Sequence, residues 1–192
     1  MAEPLNPLVF GVTALNFALF LHALICLGYD SKPPAEGAPS PWKSLGATGS
    51  LIGFIGLVAM AWLNISANPS GNPVLSMMFT TIPAMYGFLW LGLAIIEFFD
   101  LDFRWAGNAA LLCAIMQIVD LIIMHALWPA VLDLIVIEIV LWDYVLVTIG
   151  FWAATHGKMS LKLQGWNLLV CFVLNSVLLY YSSGLATTSP FA

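Results

Sequence analysis

An ionisable side chain near the middle of a bilayer costs about 3 kcal/mol or more, so each one inside an apolar run needs a reason. His22, Asp120, His125, Glu138 and Asp143 are such residues, with Asp133 at the start of the run that holds the last two. On a helix at 100° per residue, Glu138 and Asp143 are turned about 140° apart. One of them can then line a path while the other makes a helix–helix or subunit contact. Asp120 and His125 are also about 140° apart, so they are not expected to pair. The chemistry open to the set is a hydrated path or cation-handling site in the outer half of a bundle, built on Asp120, Glu138 and His125. The alternative is a set of protonated or hydrogen-bonded locks between helices.

No catalytic constellation appears. There is no HExxH, no paired zinc-ligand motif, no glycine-rich phosphate loop and no supported Ser-His-Asp arrangement. No catalytic residue, metal or cofactor is expected. His22 and His125 fall at different depths, which argues against one shared ligand site. Cys26, Cys113 and Cys171 each lie in an apolar run without CxxC spacing and read as small apolar helix residues. Glu97, Asp100 and Asp102, beside Arg104, read as a solvated loop with a local ion pair.

The elements that position these residues are legible from hydropathy. Of 192 residues 61% are hydrophobic and 8% charged, too few charges to cover a soluble surface, so lipid must solvate most of the exterior. Six runs are long enough to cross a hydrocarbon core as helices, at about 7–27, 45–65, 75–98, 106–128, 131–154 and 166–183. The expectation is an all-α membrane protein: one domain over 1–192, six transmembrane helices arranged as three hairpins. Continuous runs rather than short alternating segments exclude a barrel. The start, Met1-Ala2-Glu3-Pro4, is acidic where a cleavable signal would be basic, so the first helix is expected to be retained. A net charge of −5 with no basic cluster excludes a nucleic-acid footprint.

Lys32 and Lys43 fall in the first loop, Arg104 in the third, and Lys158 and Lys162 in the fifth. The even loops and both tails carry no Lys or Arg. The positive-inside bias then puts the odd loops in the cytoplasm and both termini on the non-cytoplasmic side. Trp42, Trp105, Trp152 and Trp166 fall near one membrane face, and Trp62, Trp128, Tyr180 and Tyr181 near the other, as an aromatic belt. Trp90 and Trp142 sit well inside their helices. Glu138, Trp142, Val145, Ile149 and Trp152 share one face of the fifth helix.

The third helix reads Tyr86-Gly87-Phe88-Leu89-Trp90-Leu91-Gly92, and the chain continues to Asp100-Leu101-Asp102-Phe103-Arg104. This resembles the urea and short-chain amide channel family, that of the acid-activated urea channel and the amide transporters of amidase operons. Its members carry aromatic-Gly-Phe-x-aromatic followed by Gly-Leu-Asp-Trp-Arg. Chain length, six helices and outward termini agree with that family. The resemblance implies a passive pore for a small neutral solute, urea or an amide, in a ring-shaped homo-oligomer, a hexamer, of a prokaryotic inner membrane. It implies pore lining by Tyr86 and Trp90, one turn apart, and by Trp142 and Trp152 of the fifth helix. The sequence departs from the family in the sixth helix, where a buried glutamate is the rule. About five residues after Trp166 the chain reads Leu169, Val170, Cys171 and Phe172, with Asn175 the next polar group. The short second loop has no histidine, so acid gating from that loop is not expected.

Two further readings stand beside the channel. One is a non-catalytic structural subunit of a larger membrane enzyme or electron-transfer complex. The other is a proton- or cation-coupled carrier working through Asp120 and Glu138.

Overall fold

The computed structural model describes residues 7–33, 35–67, 73–127 and 132–182. These form six helices long and apolar enough to cross a membrane, with no strand among the described residues. They are α1 (Pro7–Leu27), α2 (Pro41–Ala67), α3 (Pro73–Phe99), α4 (Phe103–Leu127), α5 (Leu132–Thr155) and α6 (Leu161–Ser182). This is the architecture of a multi-pass membrane protein. The acidic start, the 68–72 loop, the Trp128-Pro129 turn and the Asp133 side chain lie outside the described residues.

Three helices begin earlier than hydropathy suggests, because local capping sets their ends. α2 opens on Pro41, whose fixed φ suits a first turn. α4 opens behind Asp102, whose Oδ1 accepts from the Arg104 backbone N–H at 2.9 Å. α6 opens behind Ser160, whose Oγ accepts from the Leu163 backbone N–H at 3.2 Å. The opposite ends of α1, α3 and α5 close with one device: a residue at positive φ, then a backbone bond back five positions. Tyr29 N–H donates to Leu24 O, Leu101 N–H to Ile96 O and Lys158 N–H to Ala153 O. The positive-φ residues are Gly28, Asp100 and Gly157.

The three odd loops meet at one end of the bundle. Lys43 Nζ lies 4.0 Å from Asp100 Oδ2, and the Trp42 and Phe103 rings are 5.4 Å apart. Arg104 forms a bidentate pair with Asp102, and these hydrogen bonds hold the Asp102 carboxyl down at about 2. We refer to this as the basic end.

Each helix packs on its neighbours in the chain, and α6 packs on α1. The six therefore close a ring. Close approach needs small residues, as between lipid-embedded helices generally. A Cβ at Gly56 of α2 would overlap the Ala14 Cβ of α1. Large apolar side chains, among them Phe10, Phe17, Ile55, Phe88, Ile115, Ile122 and Leu146, point out of the ring. A water-soluble bundle would hide such residues; in lipid they face a matching solvent.

Pro83 interrupts the α3 ladder, and a proline removes the N–H that would bond the carbonyl four residues back. That carbonyl, Phe79 O, accepts instead from Asn64 Nδ2 of α2 at 2.8 Å. Inside a membrane a freed carbonyl has no water to turn to, so a neighbouring helix must supply the donor. Asn64→Leu is expected to lower stability by about 1–3 kcal/mol. In a Pro83→Ala background, where the ladder can reform, the same change should cost much less. Denaturant titrations of the four proteins give the coupling directly, and strict additivity would break the link between the two residues.

Candidate functional site

Among the described residues two neighbouring cavities lie within the ring. The larger, about 390 Å³, lies toward the basic end and takes wall residues from all six helices. The smaller, about 50 Å³, lies toward the other end between Val12, Met60, Ile82, Val140 and Leu178. Both are bounded by the same three residues, Leu15, Tyr86 and Tyr144. The two tyrosine rings stand 5.4 Å apart at 57°. The Tyr144 hydroxyl donates to Asn175 Oδ1, and Asn175 Nδ2 donates to Cys171 O at 3.0 Å. The Tyr86 hydroxyl faces Thr148 without a hydrogen bond of normal geometry, so one of the two phenols at the boundary keeps its hydrogen-bonding capacity.

The α3 wall of this lumen is a single stripe, Tyr86, Trp90, Leu93 and Glu97, spaced i, i+4, i+7, i+11. α5 contributes Tyr144, Val147, Thr148, Phe151, Ala154 and Thr155, another helical face. Most of the remaining wall is apolar, with Thr148, Thr155 and Gln164 as polar additions, and among the described residues the lumen's one charged cluster is at the basic end.

That cluster joins three helices. His22 of α1 has Nδ1 2.7 Å from Ala18 O and Nε2 2.9 Å from Glu97 Oε1 of α3. Ser50 of α2 donates from Oγ to Glu97 Oε2 at 2.5 Å and lies 3.0 Å from His22 Nε2. Glu97 and Ser50 are wholly buried, and His22 nearly so. The hydrogen count follows from the partners. A carbonyl only accepts, so Nδ1 must carry a proton. The Ser50 proton is committed to Oε2. The Nε2–Oε1 contact also needs a proton, since two bare acceptors at that distance would repel. The cluster thus binds one shared proton, keeps no uncommitted donor, and presents only acceptor lone pairs on Glu97.

The geometry is not that of a nucleophile triad. Such a triad needs the serine on one imidazole nitrogen and the acid on the other. Here Ser50 and Glu97 both address Nε2. Among the described residues no three His, Cys, Asp or Glu side chains gather as a metal-ligand set.

Ser50 reaches the cluster through an irregularity in α2. Gly46–Ser50 form a π turn, with Leu51 N–H donating to Gly46 O. The extra residue rotates the start of α2 by about 100° relative to an unbroken helix. Gly49 in that turn faces His22, where a Cβ would sit 3.1 Å from Cε1. The Trp90 ring completes the enclosure, edge-on to His22 at 4.8 Å.

No family model, curated protein or solved structure matches this chain.

The residues singled out by sequence divide between the lumen and the exterior. Tyr86, Trp90 and His22 line the larger cavity. Trp142 lies on the outside of the ring, 48% exposed, and lines neither cavity. Trp152, half-buried, stacks near His156 at 5.2 Å, and Lys158 Nζ stands 4.3 Å from its ring. It too lies outside the linings. Glu138 Oε1 meets His125 Nδ1 at 3.2 Å on the α4–α5 surface, with the His125 side chain 77% exposed. Asp120 is half-buried on α4, and none of these three lines either cavity. Asp143 is buried against α6 beside the Cys171 thiol, with Oδ2 making no hydrogen bond among the described residues. All three cysteines are free.

Glu97 is a correction. The sequence places it in a solvated loop, but only Asp100 and Asp102 are exposed there. Its signal was available: Glu97 continues the Tyr86–Trp90–Leu93 stripe at helical spacing. Ser50, Tyr144 and Gln164 carry no comparable signal, since an isolated Ser, Tyr or Gln in an apolar run looks the same on any face.

Proposed function

We propose that the protein is a passive channel for a small neutral solute such as urea or a short-chain amide. The observation that carries this reading is a pair of cavities within a closed six-helix ring that share Leu15, Tyr86 and Tyr144 as common wall residues. An apolar and aromatic constriction offers nothing to replace an ion's hydration shell, so it rejects ions. A planar amide slides between tyrosine faces and hands its polar groups to the Tyr86 hydroxyl on the way. The resemblance of the third helix to urea and amide channels points to the same solutes, because Tyr86 and Trp90 carry it and both line the lumen. In this reading the larger cavity faces the cytoplasm and both termini lie outside, an orientation supported by the basic odd loops; the helices are threaded as three antiparallel hairpins, in a prokaryotic inner membrane as the family resemblance implies. Proteoliposomes containing the protein should release urea, acetamide or formamide at least about tenfold faster than empty vesicles, read by light scattering after rapid mixing. Rates equal to those of empty vesicles for all three solutes would end the proposal.

One observation favours contact with further chains as well. His125, Glu138 and Asp120 lie on the α4–α5 exterior among Ile115, Ile122 and Ile139, where polar groups are poor company for lipid. A neighbouring protomer in a homo-oligomer would cover them. Recovery in mild detergent of a stable assembly with unlike subunits would favour the structural-subunit reading instead.

A further inference from the structure

The larger cavity is out of scale with urea. Its 390 Å³ equals about a dozen water volumes and lies in the range of sites that hold drug-sized ligands. Urea would occupy a small part of it and would meet mostly Leu, Val, Phe and Trp side chains. A molecule with an apolar body fills such a space by burying that body, and its head must then suit the polar end.

The polar end is specific about the head. In the Ser50–His22–Glu97 cluster every hydrogen is committed, and a carboxylate has about four lone-pair sites, of which two are used. A ligand there must donate and cannot accept. An ionic head would lose its hydration against apolar walls. The neutral group that donates twice from one atom is NH₂. Trp90 stands edge-on to His22, and Leu93 lies between Trp90 and Glu97 on the α3 stripe, so a flat body attached to that head meets an aromatic and aliphatic wall.

We infer that the larger cavity is a binding site for a neutral planar molecule with an NH₂ head on an apolar body, the head on Glu97 and the body against Trp90 and Leu93. Carboxamides and arylamines share this chemistry. Occupancy of the site is separate from passage across the membrane, so it stands or falls apart from the channel reading.

The test uses the full chain in detergent, with radiolabelled benzamide and unlabelled competitors. Saturable benzamide binding is expected. N,N-dimethylbenzamide keeps the body but has no N–H, and urea has the head without the body; each should compete at least about tenfold more weakly than benzamide. Aniline competing as well as benzamide assigns the site to the shared NH₂ group, and weak competition by aniline assigns it to carboxamides. Leu93→Trp, which fills the cavity, should abolish binding, and Glu97→Gln should weaken it by about tenfold or more. The competitor series on the unaltered protein decides the matter even where a variant does not fold. Equal competition by N,N-dimethylbenzamide, or no saturable binding of either benzamide or aniline, overturns the inference. Urea flux measured on the same preparation separates the two proposals: flux without binding removes this site alone, and binding without flux removes the channel alone.

Discussion

Glu97→Ala will destabilise the helical ring by about 2–4 kcal/mol, the cost of leaving two buried hydrogen-bonding groups without their shared partner. The loss has three parts. His22 Nε2 and Ser50 Oγ each lose their acceptor, the shared proton loses one of its two holders, and α3 loses this one polar link to α1 and α2. Glu97→Gln should be milder, because its carbonyl oxygen still accepts from one of the two donors. The informative comparison is the double variant His22→Leu/Glu97→Leu. Buried ion pairs seldom exceed well-packed apolar residues in stability, so the double variant should recover most of what Glu97→Ala loses. Unfolding titrations in mixed micelles measure all three. A Glu97→Ala protein within about 1 kcal/mol of the parent would mean that the carboxyl is solvated and the cluster is not closed.

This cluster also marks how far sequence reasoning reaches. Hydropathy was enough for six helices, because an apolar run of twenty residues has few other fates. It misplaced the starts of α2, α4 and α6, since it locates the lipid-embedded stretch while Pro41, Asp102 and Ser160 determine where helical bonding begins. Helix rotation was harder still. A helix apolar all round has almost no amphipathic signal, and on α5 the bulk and charge of Glu138 and Trp142 drew attention to the wall-less side. The lumen face is Tyr144, Val147, Thr148 and Phe151, and Tyr144 is about 200° around the axis from Trp142. The outward side carries Trp142, Leu146 and Ile149. In lipid the exterior is as apolar as the core, so size and hydrophobicity cannot tell one from the other. On α3 the rotation was legible, because Tyr86 and Trp90 share a stripe that ends in an acid. No local pattern announced the π turn at Gly46–Ser50, since its stabilising contacts come from α1 and α3.

If the protein conducts as proposed, two substitutions at Leu15 should move solute flux in opposite directions. Leu15 is buried, borders both cavities and shares that boundary only with Tyr86 and Tyr144. Leu15→Ala withdraws an isobutyl group from the partition and joins the two spaces. Urea flux should rise by about tenfold, which corresponds to a barrier lower by about 1.4 kcal/mol. Stability should fall at the same time by about 2–5 kcal/mol, as for other large-to-small changes in a packed interior. Leu15→Trp adds bulk comparable with the whole 50 Å³ cavity and should cut flux to the level of empty vesicles. Both variants are expected to be less stable than the parent, so damage to the fold would lower flux in both. A rise in one and a loss in the other therefore needs a path past this residue. If neither variant shifts urea, acetamide or formamide flux while the parent protein conducts, the solute crosses somewhere other than the ring axis, and the α4–α5 exterior with Asp120 and Glu138 becomes the place to look.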